Sequence, residues 1–108
     1  MFGNPQSAIE DFEIAMRFDP ANPLPYFNRA LAYEEVGKLR LALSDYSRAI
    51  DRAPTMAIAF NNRGYTPERL GHREQALVNF RIAVTLEPEL QVARRNLERL
   101  RSSTDDRQ

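Results

Sequence analysis

"YFNRALAYEEVGKLRLALSDYSRAIDRAP", residues 26–54, decides the fold, because a second stretch of the chain echoes its pattern. Moved forward by 34 positions it lies on "FNNRGYTPERLGHREQALVNFRIAVTLEP", residues 60–88. Asn28 falls on Asn62, Arg29 on Arg63, Glu34 on Glu68, Gly37 on Gly71, Ala42 on Ala76, Leu43 on Leu77, Ala49 on Ala83 and Pro54 on Pro88. Conservative pairs fill the gaps: Tyr26 with Phe60, Ala30 with Gly64, Val36 with Leu70, Tyr46 with Phe80, Ile50 with Val84. The N-terminus extends the series, with Gly3, Ala8, Ile9, Phe12, Ala15 and Pro20 lying 34 before Gly37, Ala42, Leu43, Tyr46, Ala49 and Pro54. Self-similarity at one fixed period is the mark of a repeat architecture, in which each unit buries its apolar face against its neighbours.

Each period reads as two helices. Asn22 and Pro23 form an N-cap and a first-turn proline, where the backbone N–H groups lack helical partners in any case. Helix A runs over 23–36 and ends at Gly37, glycine being the usual residue just past a helix. Helix B runs over 39–52, with Ala42, Leu43, Tyr46, Ala49 and Ile50 on one face at helical spacing. Pro54 closes the period. Small Ala30, Ala42 and Ala49 let the helices approach, and Tyr26, Tyr33 and Tyr46 fill the space between them. Extended along the chain, the pattern predicts helices at 5–18, 23–36, 39–52, 57–70, 73–86 and 89–101. It also predicts a core of Phe12, Tyr26, Ala30, Tyr33, Ala42, Tyr46, Ala49, Phe60, Gly64, Ala76, Phe80, Ala83 and Leu97.

These residues resemble the tetratricopeptide repeat (TPR), a helix-turn-helix unit of 34 residues. Tyr26, Ala30, Tyr33, Ala42, Tyr46, Ala49 and Pro54 match its pattern, as do Phe60, Gly64, Ala76, Phe80, Ala83 and Pro88. Arg29 and Arg63 depart from it, standing where leucine is commonest. The resemblance implies an all-α fold, a right-handed α-solenoid. It divides into a half repeat at 1–22, repeats at 23–56 and 57–90, a capping helix at 91–102 and a disordered tail at 103–108. Together 1–102 would form a single TPR domain.

Pro67 interrupts the pattern. It takes the place of Tyr33 inside the fourth helix, 57–70, and a proline there removes a backbone bond at about 3 kcal/mol or more. The expectation is a kink or an early end to that helix, with Thr66 capping a short restart. A hinge that lets the following helices leave their own chain is the alternative, since helix exchange needs such a point.

Composition narrows the function. The 108 residues include 15 Lys plus Arg against 15 Asp plus Glu, so there is no electrostatic footprint for nucleic acid or an anionic membrane. With 43% hydrophobic residues, a core is within reach. No apolar run approaches the ~20 residues a membrane helix requires. Cysteine is absent, which removes disulfides, thiolate metal sites and thiol nucleophiles and fits a reducing, cytoplasmic setting.

Chemistry at a site is equally sparse. The single histidine, His72, falls in a turn, and no cluster of His and carboxylates reads as a metal site. Ser7, Ser44 and Ser47 have no histidine at a recognisable spacing to act as base. The glycines Gly3, Gly37, Gly64 and Gly71 form no phosphate loop. Glu34 and Glu35 point about 100° apart on a helix and make no dyad. The expectation is a non-enzyme without cofactor or metal.

The resemblance implies instead a protein-interaction module, an adaptor or scaffold whose concave groove is lined by A helices. Its groove residues would be Leu24, Phe27, Asn28, Leu31 and Glu35, then Ile58, Asn61, Asn62, Tyr65 and Arg69, then Val92, Arg95, Asn96 and Arg99. Asn28, Asn62 and Asn96 stand one per A helix. A carboxamide both donates and accepts, so such a ladder could hold an extended peptide backbone. Asparagines that bridge neighbouring helices are the competing reading. TPR domains that clamp the C-terminal carboxylate of chaperone peptides use lysines. Here Phe27, Asn61, Ile58 and Val92 occupy those positions, which argues against a clamp.

Self-assembly is the alternative function. The chain opens on a B helix and closes on an A helix. The first should leave Ile9 and Phe12 partly open, the last Val92 or Leu100. A homodimer, through the N-terminal helix or through helix exchange near Pro67, is the resulting expectation.

Overall fold

The computed structural model describes residues 4–106, and side chains only as far as 102. These residues form six α-helices and no strand: α1 (Pro5–Phe18), α2 (Pro23–Glu35), α3 (Leu39–Arg52), α4 (Ala57–Arg69), α5 (Arg73–Leu86) and α6 (Gln91–Asp106). They group into two compact units, α1–α3 and α4–α6, divided after Pro54. Most helix bounds agree with the periodicity to within a residue. The exception is α6, which starts at Gln91 and runs on to Asp106, where the sequence suggested a disordered tail from 103. No glycine or proline follows Pro88 to stop it. Residues 107–108 of that tail lie outside the described residues.

Local chemistry explains the helix ends. Asn4 and Asn22 cap α1 and α2, their Oδ1 atoms accepting from the backbone N–H of Gln6 at 2.8 Å and of Leu24 at 3.1 Å. A proline follows each cap at the first helical position. Helices α2 and α4 end alike. Gly37 and Gly71 adopt φ of 82° and 85°, a region open to glycine without a Cβ clash. Lys38 N–H then donates to the Tyr33 carbonyl at 2.8 Å, and His72 N–H to the Pro67 carbonyl at 2.7 Å. These six-to-one bonds are those of a Schellman turn.

Pro67 therefore does not end α4 early. The helix continues through it to Arg69, the position that Glu35 holds at the end of α2. The position explains the tolerance. Pro67 lies in the last turn, where its carbonyl still accepts from Leu70 and His72. The Thr66 hydroxyl donates back to the Asn62 carbonyl at 3.3 Å rather than capping a restart. Pro67 and Thr66 are both fully buried, so the ring returns apolar burial against the one lost backbone bond.

In the first unit the core is the α2–α3 seam: Ala30, Ala42 and Tyr46, with Phe27 and Tyr33 packed on them. Phe27 and Tyr46 meet at 5.7 Å between ring centres with planes tilted by 58°, a favourable aromatic geometry. In the second unit Ala76, Leu77, Phe80 and Leu100 form a cluster with Leu97 against it. Of the anticipated core, Phe12, Tyr33 and Leu97 are half-buried and the rest are buried. Two expectations about open faces are corrected. Ile9 is buried at 4% exposure because it faces α2, and Leu100 is buried because it packs on α5. The open apolar side chains of α1 are Ile14 and Phe18.

Candidate functional site

On α2, Leu24, Phe27, Asn28, Leu31 and Glu35 recur at helical spacing and share one side. Leu24 and Leu31 are open to solvent, at 52% and 41% exposure. Phe27 and Asn28 are half-buried, Phe27 because its ring also packs on Tyr46. The Asn28 carboxamide makes no hydrogen bond among the described residues. Its neighbour Arg29 is occupied elsewhere. The guanidinium donates to both Asp45 oxygens, from Nε at 2.6 Å and from Nη2 at 2.8 Å, and reaches Glu13 on α1 at 3.5 Å. The bonds to Asp45 raise the pKa of Arg29 above its usual value, outweighing the opposing effect of burial. Asp45 is wholly buried and also accepts from Arg48 at 3.0 Å.

The A helices of the second unit use their asparagines differently. Asn61 is buried, and its Nδ2 donates to Asn62 Oδ1 at 3.0 Å. Asn96 Nδ2 on α6 donates to Asn61 Oδ1 at 2.9 Å, and Asn96 Oδ1 accepts from Arg99 at 3.0 Å. Arg99 in turn grips Glu68 with both oxygens of the carboxylate, which raises the arginine pKa above its usual value. One chain of hydrogen bonds thus runs through Asn62, Asn61, Asn96, Arg99 and Glu68 and ties α4 to α6. Around it, Tyr65, Arg69, Val92 and Arg95 are exposed and Ile58 is half-buried. Val92 is open, like Leu24 at the same register position on α2.

Sequence reasoning did not find the partners of the two arginines. Arg29 binds Asp45, and Arg63 Nε donates to Asn79 Oδ1 at 2.9 Å. Both pairs span 16 positions. The signal was present: an arginine in a leucine position in two successive periods requires a polar partner on the facing helix. Among the described residues no group of three His, Asp or Glu is placed to hold a metal. Among the described residues no helix is long and apolar enough to cross a membrane.

Comparison with known proteins accords with this geometry. The sequence profile described as tetratricopeptide repeat matches residues 25–56. The second TPR domain of human RPAP3, in complex with the HSP70 peptide SGPTIEEVD, is 31% identical. Its TM-score is 0.82, over 90% of this chain and 81% of that one. The first TPR of Spaghetti (RPAP3), bound to the HSP90 peptide SRMEEVD, is 28% identical, with a TM-score of 0.86 over 94% and 80% of the two chains. The Arabidopsis OM64 TPR domain is 29% identical, also with a TM-score of 0.86, over 92% and 82%. Comparison with curated proteins finds no match. The chain belongs to the tetratricopeptide repeat family.

Proposed function

We propose that this protein is a non-enzymatic interaction module that holds an extended peptide segment of a partner, with the exposed side of α2 as its contact surface. The carrying observation is the side of α2. The Asn28 carboxamide is unengaged among the described residues and stands between exposed Leu24 and Leu31. A free carboxamide can take both the N–H and C=O of a peptide unit, and the flanking leucines supply apolar contact for its side chains. Ile58, Asn62, Tyr65, Arg69, Val92 and Arg95 are the corresponding surface of the second unit, with Asn61 and Asn96 holding Asn62 in place. The relatives captured with HSP70 and HSP90 peptides support peptide binding as the class of activity.

The occupant differs from those peptides in chemistry. Both end in EEVD, a strongly acidic tail. The α2 side offers Leu24, Phe27, Asn28, Leu31 and Glu35, without a cation, and Arg29 is already neutralised by Asp45. An apolar segment fits this surface better than an acidic one. Selection against a random peptide library should return sequences with spaced apolar residues, and Leu24→Asp with Leu31→Asp should abolish their binding while the helical circular dichroism persists. SRMEEVD and SGPTIEEVD should bind more weakly than the selected peptides. Failure to select any peptide, or selected peptides indifferent to Leu24 and Leu31, would overturn the proposal.

A further inference from the structure

Charge is unevenly placed in this molecule. The chain as a whole is neutral, with 15 basic and 15 acidic residues. On the side of the second unit built by α4 and α6, Arg69, Arg95 and Arg99 are exposed against one carboxylate, Glu68, which is half-buried. The equivalent positions of α2 hold no cation and one acid, Glu35.

The cations of α4 and α6 meet around Tyr65, whose ring is 44% exposed. The Arg69 guanidinium carbon lies 5.6 Å from the centre of that ring. The pKa of Arg99 is raised first by its bonds to Glu68 and last by the charge of Tyr65, which puts the phenol within electrostatic reach of Arg99. Arg99 spends only its two Nη atoms on Glu68 and Asn96, so its Nε–H has no acceptor among the described residues. Arg69 has no carboxylate partner there, and Arg95 has only the neutral Gln91 at 3.2 Å.

We infer that Tyr65, Arg69 and Arg99 form a subsite for a phosphate monoester borne by a side chain of the bound segment. A carboxylate fits this site poorly. Glu68 already fills the fork of Arg99, and a second carboxylate would gain that fork only by stripping the first. A phosphate group carries a charge of about −1.5 to −2 and three acceptor oxygens. It can take the Arg99 Nε–H, the Arg69 guanidinium and the Tyr65 hydroxyl together and leave Glu68 in place. Arg69 ends α4, where the helix dipole favours a cation over an anion, so the phosphate needs Arg99 from the neighbouring helix as well.

Asn62 supplies the peptide contact. It stands three residues before Tyr65 on the same side of α4. Its Oδ1 is taken by Asn61, while its Nδ2 has no partner among the described residues and can donate to a peptide carbonyl. The inference rests on reading this protein as a peptide binder and uses none of the α2 contacts.

The test titrates the full chain, at physiological ionic strength, into a labelled peptide of glycine and alanine with one central phosphoserine. Without apolar side chains this probe gives the α2 surface nothing to hold. Binding should saturate. The serine version should not bind, and the glutamate version should bind at least roughly tenfold more weakly. Arg69→Ala and Arg99→Ala should each weaken binding by roughly tenfold and keep the helical circular dichroism. Arg81→Ala, which removes the same charge from the exposed surface of α5, should leave affinity unchanged. So should Leu24→Asp with Leu31→Asp, which separates this site from the α2 surface. Inorganic phosphate should compete only at several-fold higher concentration, because it lacks the carbonyl for Asn62. Absence of binding, equal affinity for the glutamate version, an equal loss in Arg81→Ala, or inorganic phosphate competing as well as the phosphopeptide would overturn the inference.

Discussion

At the seam between α2 and α3, Arg29 meets a carboxylate, Asp45. At the seam between α4 and α5, one period later, Arg63 meets a carboxamide, Asn79. The exchange recurs along both seams. The Tyr46 hydroxyl donates to Glu34, whereas Phe80 has no hydroxyl and Glu68 is held by Arg99 of α6 instead. Arg52 covers Tyr26 and donates to the Pro20 carbonyl at 2.6 Å, where the second unit has Leu86 and Phe60. Ala30 is matched by Gly64 and Tyr33 by Pro67. Shape repeats while chemistry does not: the first unit closes its seam with charge and hydroxyls, the second with an amide, rings and a closer backbone approach. The difference teaches that the 34-residue register fixes which positions meet, and leaves open what joins them.

The largest expected effect tests the buried charge. Asp45→Ala strands Arg29 beside a fully buried site and should cost about 3–5 kcal/mol, since breaking one side of a buried pair leaves the other uncompensated. Asn79→Ala removes a neutral acceptor and should cost only about 1–2 kcal/mol. Urea denaturation of the two variants measures both. Equal losses would mean that Asp45 and Asn79 do the same work and that the contrast between the seams is cosmetic.

A smaller effect sharpens the backbone contrast. A Cβ on Gly64 would sit 2.9 Å from Asn79 Cβ and 2.9 Å from Phe80 Cε1. The Asn79 atom is anchored to its backbone, so α4 and α5 must separate. Gly64→Ala should therefore lower stability by about 1–2 kcal/mol, overpacking outweighing the better helix propensity of alanine. A more stable Gly64→Ala variant would show that the α4–α5 seam is no tighter than α2–α3, where Ala30 is accommodated.

The smallest effect concerns the Glu68–Arg99 pair that replaces the Glu34–Tyr46 bond. The Arg99 side chain is half exposed, so Arg99→Ala should cost less than about 1 kcal/mol, and less still at high salt. A loss well above that, insensitive to salt, would assign Arg99 a packing role in the second unit that the first unit lacks.

The fold was almost wholly legible in the sequence. Periodicity places the helices because Gly37, Gly71, Pro5 and Pro23 mark ends that backbone chemistry dictates, and small and aromatic residues recur where helices must meet. Pro67 misled because a proline reads as a break wherever it falls, whereas its cost depends on which carbonyl it deprives. The disposition of the asparagines was not legible. Asn28, Asn62 and Asn96 are equivalent by spacing, yet only Asn62 and Asn96 join a chain through Asn61, whose counterpart in α2 is Phe27. Register predicts where a side chain stands. Its hydrogen bonds depend on neighbours that differ from one period to the next.

That inequality gives the most direct measurement of the proposed function. A selected peptide is titrated calorimetrically into the wild type, Asn28→Ala and Asn96→Ala, with melting followed for each. Asn28→Ala should weaken binding by roughly tenfold, the worth of one good hydrogen bond, with an unchanged melting temperature. Asn96→Ala should leave affinity nearly unchanged and lower the melting temperature, because its carboxamide is already committed to Asn61 and Arg99. Equal weakening by both variants without loss of stability, or full affinity in Asn28→Ala, would contradict the account.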